Sequence, residues 1–264
     1  LKDYAEDSIP VLSETKELLG VITAQDVVEA VDDEMGEDYA KLAGLTDEED
    51  LRETTKESMK KRLPWLIILL FLGMGVSSVV GAFEAVVAVL PIVMCFQSLI
   101  LDMAGNVGTQ SLAVTIRGLM DENLTGKQKL HLVWKEMKVG FVNGLLLGSL
   151  AFVFIGIYIA CFKHNAWLHA FLISGCVGVS LMVAMVISSL VGTLIPIFFH
   201  KIKIDPAVAS GPLITTVNDL VAVVTYYGLA WLFLIQIMQI VSFICLYYKT
   251  SNSQINEKNK KRIA

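Results

Sequence analysis

Basic side chains are absent from the longest apolar runs of this chain: stretches at about residues 64 to 89, 91 to 116, 139 to 161, 167 to 199 and 213 to 248 contain neither Lys nor Arg. Cysteine is sparse as well. Cys95, Cys161, Cys176 and Cys245 each fall in an apolar run without CxxC spacing, which argues against disulfides or a thiolate metal site and predicts buried structural thiols. No apolar segment opens the chain, because some sixty polar residues precede the first one, so no cleaved signal peptide is read. Neither a nucleic-acid partner nor an enzymatic activity is expected.

What is there in quantity is hydrocarbon. At 55% hydrophobic residues over 264 positions, the chain is too apolar for an ordinary soluble domain and too interrupted for one core. A bilayer core of about 30 Å needs roughly 20 helical residues per crossing, and the five runs meet that length. The expected fold is an all-α membrane protein with five transmembrane helices per subunit, set in the plasma membrane, preceded by a small soluble α/β portion. Orientation follows from basic loops. Lys56, Lys60, Lys61 and Arg62 precede the first helix; Arg117, Lys127, Lys129, Lys135 and Lys138 separate the second and third; Lys201 and Lys203 precede the fifth. These sides, with the N-terminus, are read as cytoplasmic, and five crossings then leave the C-terminus outside. The basic tail at 250–264 opposes that parity.

Charge is partitioned sharply, since 18 of the 26 acidic residues lie in residues 1–63. The stretch DSIPVLSETKELLGVITAQDVVEAV, residues 7–31, reads as a strand, a polar turn, a second strand at Leu18 to Ile22, and a helix capped by Thr23. With GVIT followed by Asp26, residues 1–35 resemble the closing half of a CBS module. The opening half is missing and residue 1 is Leu, so a longer parent chain is expected, and a half module is expected to hold no nucleotide. Residues 36–63 form an acidic linker and a connecting helix, with Thr46 and Glu49 at capping-box spacing. Like-charge neighbours four apart, Glu53 with Glu57 and Lys56 with Lys60, call for something that screens them.

Residues 64–249 form the expected five-helix domain, and its polar side chains carry the function. A charge at mid-bilayer costs about 2.5 to 3.5 kcal/mol on insertion scales, so such groups face a cavity or each other. On the second helix Ser98, Asp102, Asn106 and Gln110 recur every four residues, which keeps them on one face. Gly105 and Gly108 beside them permit close approach. The fifth helix brings Asp205 and Pro206 before its start, then Pro212, Thr215, Thr216, Asn218 and Asp219. If both segments meet the cytoplasmic surface near Arg117 and Pro212, Asn106 and Asp219 lie at similar depth, roughly 10 to 17 Å at 1.5 Å per residue. Gly140, Gly144 and Gly148 on the third helix make a packing ridge with Asn143 beside it, and Glu84 marks the outer end of the first helix. Oxygen donors with carboxylates and no cationic side chain describe a path for hard cations. Magnesium suits it best, because it sheds water reluctantly and is held largely through its hydration shell. Calcium, manganese and sodium stay open on these grounds.

Pro91 and GNVGTQ (Gly105 to Gln110), paired with DPAVASGPLITTVND (Asp205 to Asp219) behind the GVIT segment and an acidic connecting helix, resemble the MgtE family of magnesium channels over nearly the whole chain. The resemblance implies a homodimer with a pore lined by the second and fifth helices, Mg2+ as the bound and conducted ion moving into the cytoplasm, and a magnesium site at Asp219. It also implies that cytosolic magnesium between acidic surfaces shuts the pore. The candidate metal set is Asp219, Asn106, Gln110, Thr215, Thr216, Asp102 and Asp205. The candidate regulatory set is Glu49, Asp50, Glu53 and Glu57. Ala222 stands where the family's TTxxDxxG pattern has glycine. Three alternatives remain: a secondary cation transporter coupled to sodium or protons, an intramembrane aspartyl protease using Asp102 and Asp219, and plain interhelical hydrogen bonds worth about 0.6 kcal/mol each.

Overall fold

The computed structural model describes residues 8–45, 52–119, 124–163, 166–208 and 211–236. Glu49, Asp50, the far end of the expected fifth helix, Cys245 and the tail at 250–264 lie outside those residues. The chain divides into two compact units, Leu1–Ile68 and Leu69–Ala264.

In the first unit β1 (Ser8–Leu12) and β2 (Leu18–Thr23) form an antiparallel hairpin in which Ser8 pairs with Thr23 and Val11 with Gly20. The hairpin leads into α1 (Ala24–Leu42). Thr23 caps α1 as its sequence position requires: the Asp26 amide donates to Thr23 Oγ1, and Asp26 Oδ2 accepts from the Thr23 amide at 2.7 Å. Helix α2 (Thr55–Ala82) begins well inside the expected connecting helix and runs on into the first apolar stretch. Thr54 supplies the α2 cap, with its amide and hydroxyl both donating to Glu57 Oε2; Thr46 and Glu49, expected at capping-box spacing, lie outside the described residues. For the Glu53–Glu57 pair the screening comes from the chain itself, because Lys61 Nζ lies 2.6 Å from Glu53 Oε1.

Among the described residues five helices are long and apolar enough to cross a membrane. They are α2, the segment Pro91–Leu119 that contains α4 (Gln97–Leu119), α5 (Gly126–Phe162), α6 (Trp167–Lys201), and α7 (Gly211–Leu229) with its π-helical continuation Ala230–Gln236. The first apolar stretch is not one helix to residue 89. It breaks at Phe83, and Glu84 starts a separate short helix, α3 (Glu84–Val89). The second stretch opens with a 3-10 turn, Pro91–Phe96, before α4 begins. Pro91 explains the start, since it lacks an N–H and pre-sets φ for a first helical position. Two tyrosines of α7 hold this turn: Tyr226 Oη donates to the Val93 carbonyl at 2.7 Å and Tyr227 Oη to Gln97 Oε1 at 2.5 Å.

Helix α6 is the centre of the second unit, packed on α4, α5 and α7. Small residues set its distance from α5. A Cβ placed on Gly148 would stand 2.6 Å from the Gly178 carbonyl oxygen, and the reverse substitution meets the Gly148 carbonyl equally closely. Backbone therefore touches backbone, the arrangement that apolar solvent favours when it offers no hydrophobic drive between helices. Of the thiols, Cys176 is buried as expected, whereas Cys95 and Cys161 are exposed: being on an apolar run puts a residue in lipid as readily as in the protein interior.

Candidate ion-path site

The α4 stripe emerges as a single face. Ser98, Asp102, Asn106 and Gln110 are all exposed, while Ala104, Gly105, Val107, Gly108, Ser111 and Leu112 are buried behind them. The cause is the four-residue spacing, which drifts only slowly around a 3.6-residue helix. Thr109 Oγ1 donates back to the Gly105 and Asn106 carbonyls at 3.1 and 2.9 Å, so its hydrogen is spent inside the helix.

Helix α7 lies antiparallel beside α4, since Tyr227 near its far end reaches Gln97 while Thr215 near its start meets Gly105. A Cβ on Gly105 would meet Thr215 at 3.1 Å. A Cβ on Gly108 would overlap the side-chain amide of Asn218, and one on Gly192 of α6 would overlap the Gly108 carbonyl. Three helices thus close on the one residue Gly108, where no side chain fits. Ile214, Asn218 and Ala222 share the buried face of α7, and Thr215, Thr216 and Asp219 are half-exposed beside it. Thr215 and Thr216 hydroxyls donate to the carbonyls of Gly211 and Pro212, both at 2.9 Å, which leaves each oxygen able to act as an acceptor. Asp219 is one turn beyond Thr215, and Asp102 lies on the same side of the Gly105–Thr215 contact.

Among the described residues Asp102 and Asp219 form no hydrogen bond or ion pair, and no three His, Cys, Asp or Glu side chains gather around a point. The chain therefore offers dispersed oxygens rather than a cage, an arrangement suited to an ion that keeps its water. Asp205 sits apart from this group. Its Oδ1 accepts from the Ala207 amide at 2.9 Å and so opens the 3-10 turn Pro206–Val208, a capping task in the connection before α7. Glu53 and Glu57 are engaged in the first unit by Lys61 and Thr54.

Sequence reasoning named Asn218 only as a neighbour of Asp219 and passed over Glu136. Asn218 is fully buried against Gly108, and neither of its amide atoms has a partner. Glu136 is buried on α5; flanked by Lys135 and Lys138, it reads as part of a charged loop. The signal that could have found it is spacing, since Glu136 stands four residues before Gly140 at the head of the ridge Gly140, Gly144 and Gly148.

Five apolar helices and a stripe of uncommitted oxygen donors define a polytopic membrane protein built to handle cations. The chain belongs to the MgtE family: residues 97–229 match the family described as divalent cation transporter. That membership removes the protease alternative, because the family consists of transporters and not enzymes. The chain is 37% identical over 234 residues to the magnesium transporter MgtE of Enterococcus faecalis, covering 89% of this chain and 49% of that protein. It is 38% identical over 229 residues to that of Bacillus subtilis (86% and 48%) and 32% over 238 residues to that of Thermus thermophilus (89% and 50%). The chain spans about half the length of these curated relatives.

Proposed function

We propose that this chain forms the membrane part of a magnesium channel, in which α4 and α7 of two subunits line a path that carries Mg2+ into the cytoplasm. The observation that carries the reading is the exposed stripe Ser98, Asp102, Asn106 and Gln110 on a membrane-length helix. Facing lipid, such a stripe is costly; facing a water-filled path at a two-fold axis, it is solvated and useful. The relatives named as magnesium transporters support Mg2+ as the cargo.

In this mechanism Asp219 supplies the charge that offsets a dication in a medium of reduced dielectric. Asn106 and Gln110 accept from, or donate to, the water that the ion retains, and the Thr215 and Thr216 oxygens add neutral acceptors at nearby levels. Asp102 raises the local cation concentration through its field, a contribution that salt screens. The acidic residues 47 to 57 bind cytosolic magnesium and bias the path towards closure. A coupled secondary transporter is the second reading, favoured by the breaks at Pro91–Phe96 and Ala230–Gln236 that flank the two path helices.

Flux into liposomes, measured in parallel with magnesium, calcium and sodium, tests the proposal. Magnesium flux that needs no sodium or proton gradient and exceeds calcium flux is the expected result. Flux that stops without such a gradient would hand the argument to the transporter reading, and equal passage of all three ions would remove the magnesium assignment.

A further inference from the structure

The ridge that α5 presents to α6 does not begin with a glycine. Glu136 stands one turn before Gly140 and is buried with Gly140, Gly144 and Gly148. Its Oε2 accepts the Ser111 hydroxyl at 3.0 Å. Ser111 is buried on α4, directly after the exposed Gln110. Successive residues of a helix point about 100° apart, so one turn of α4 shows its inner face to Glu136 and its polar face to the proposed path.

The surroundings make this carboxyl unusual. Helix α6 runs antiparallel to α5, with Gly148 on Gly178, Gly144 on Met182 and Gly140 on Met185 and Ser189. Continuing that register brings Glu136 to the turn of α6 holding Ser189 and Thr193, both buried. Thr193 Oγ1 donates to the Ser189 carbonyl at 2.8 Å, and Ser189 Oγ has no partner. From α4, Thr115 turns its hydroxyl back to the Ser111 carbonyl at 2.7 Å. Among the described residues no cation is buried at the junction: Lys135 and Lys138 are exposed, and Lys129 lies 3.2 Å from His200 two turns nearer the start of α5. A buried carboxyl without a counter-charge is expensive to keep, and helix packing alone is served by another glycine or an alanine.

We propose that Glu136 is a positioning residue for the ion path: by accepting the Ser111 hydroxyl it sets the rotation of α4 about its axis, and with it the direction of the stripe that contains Gln110 and Asn106. The proposal rests on the reading of that stripe as the path. What α4 needs from Glu136 is an acceptor oxygen at the right place, which a glutamine carbonyl can supply and an alanine cannot.

The test is magnesium flux against magnesium concentration for the chain in liposomes, comparing Glu136→Ala, Glu136→Gln, Ser111→Ala, the double alanine variant and Asp219→Asn. Glu136→Ala and Ser111→Ala are each expected to lower maximal flux about fivefold or more, with half-saturation moved by less than about twofold. The double variant should be no worse than the single ones, as for two partners in one interaction. Glu136→Gln should restore flux to within about twofold of the parent, since its side-chain carbonyl still accepts. If Glu136→Ala does not yield monodisperse protein, Ser111→Ala, which loses one hydroxyl, carries the comparison. Parental flux in Ser111→Ala would overturn the proposal. So would a Glu136→Gln variant as impaired as the alanine, because charge and not the acceptor would then be what matters. Asp219→Asn separates the layers: if it is inactive while Ser111→Ala is normal, only this proposal fails, and if it conducts normally the path reading fails with it.

Discussion

In the first unit Leu19, Val28 and Leu18 stand 69, 68 and 63% exposed, and α1 buries only Ala40. In the second unit Leu146, Phe154 and Leu168 are 60, 67 and 73% exposed, yet α6 buries residues around most of its circumference. The same degree of apolar exposure means different things in the two places. Helices α4, α5, α6 and α7 form a packed interior whose outer hydrocarbon is solvated by lipid. The hairpin and α1 belong to a strongly acidic segment that has no such solvent, so their apolar faces require a further protein surface. The second unit shows that stability in the membrane comes from what is small, Gly148 and Gly178 above all, and the first shows a fold whose hydrophobic half is presented without its complement.

The comparison is broken most severely at the α5–α6 contact. Gly148→Leu should abolish monodisperse protein in detergent, because backbone atoms on both sides leave nothing that can yield; Gly148→Ala should cost about 1 to 3 kcal/mol as overpacking, seen as an earlier thermal transition by size-exclusion chromatography. Next comes the exposed side of α4, where Asn106→Ala should leave that transition in place. It should reduce magnesium-over-calcium selectivity about fivefold, near 1 kcal/mol and the worth of one neutral hydrogen bond, as measured by competitive flux. The first unit sharpens the contrast from the other direction. Val28→Glu should change the thermal transition by no more than about 0.5 kcal/mol while reducing self-association in light scattering.

The smallest effect is at the α1 cap. The Thr23 amide and then its hydroxyl hold the Asp26 carboxyl below its ordinary value of 3.8, with slight burial opposing. A carboxylate with a depressed folded value contributes stability that is present above the unfolded value and is lost as pH falls through the folded one. Hydrogen exchange at the first turn of α1 should therefore accelerate, relative to the intrinsic rate, as pH is lowered from about 5 to below 3.8, and Thr23→Ala should show that acceleration already at the higher pH.

Length and period made much of this legible. Five spans followed from run length, and the Thr23 cap followed from its position before an amphipathic helix. The α4 stripe was visible because Ser98, Asp102, Asn106 and Gln110 interrupt hydrocarbon at a constant interval. The illegible parts depend on distant partners. The break at Phe83 and the 3-10 turn at Pro91–Phe96 are held by Tyr226 and Tyr227, more than a hundred residues away, and no local pattern records that. Glu136 was hidden by its lysine neighbours, although its spacing to Gly140 placed it on the buried ridge. Asn218 was seen as a neighbour of Asp219, but its burial depends on Gly108 having no side chain.

The central claim, that the face made by α4 and α7 conducts magnesium by means of the Asp219 charge, is tested most directly by magnesium uptake into liposomes containing Asp219→Asn protein. The substitution keeps shape and hydrogen bonding while removing the charge that a dication needs in low dielectric. The account predicts uptake reduced about tenfold or more, corresponding to at least about 1.4 kcal/mol at the barrier, in protein whose thermal transition is unchanged. Uptake at the parental rate by folded Asp219→Asn protein would contradict it.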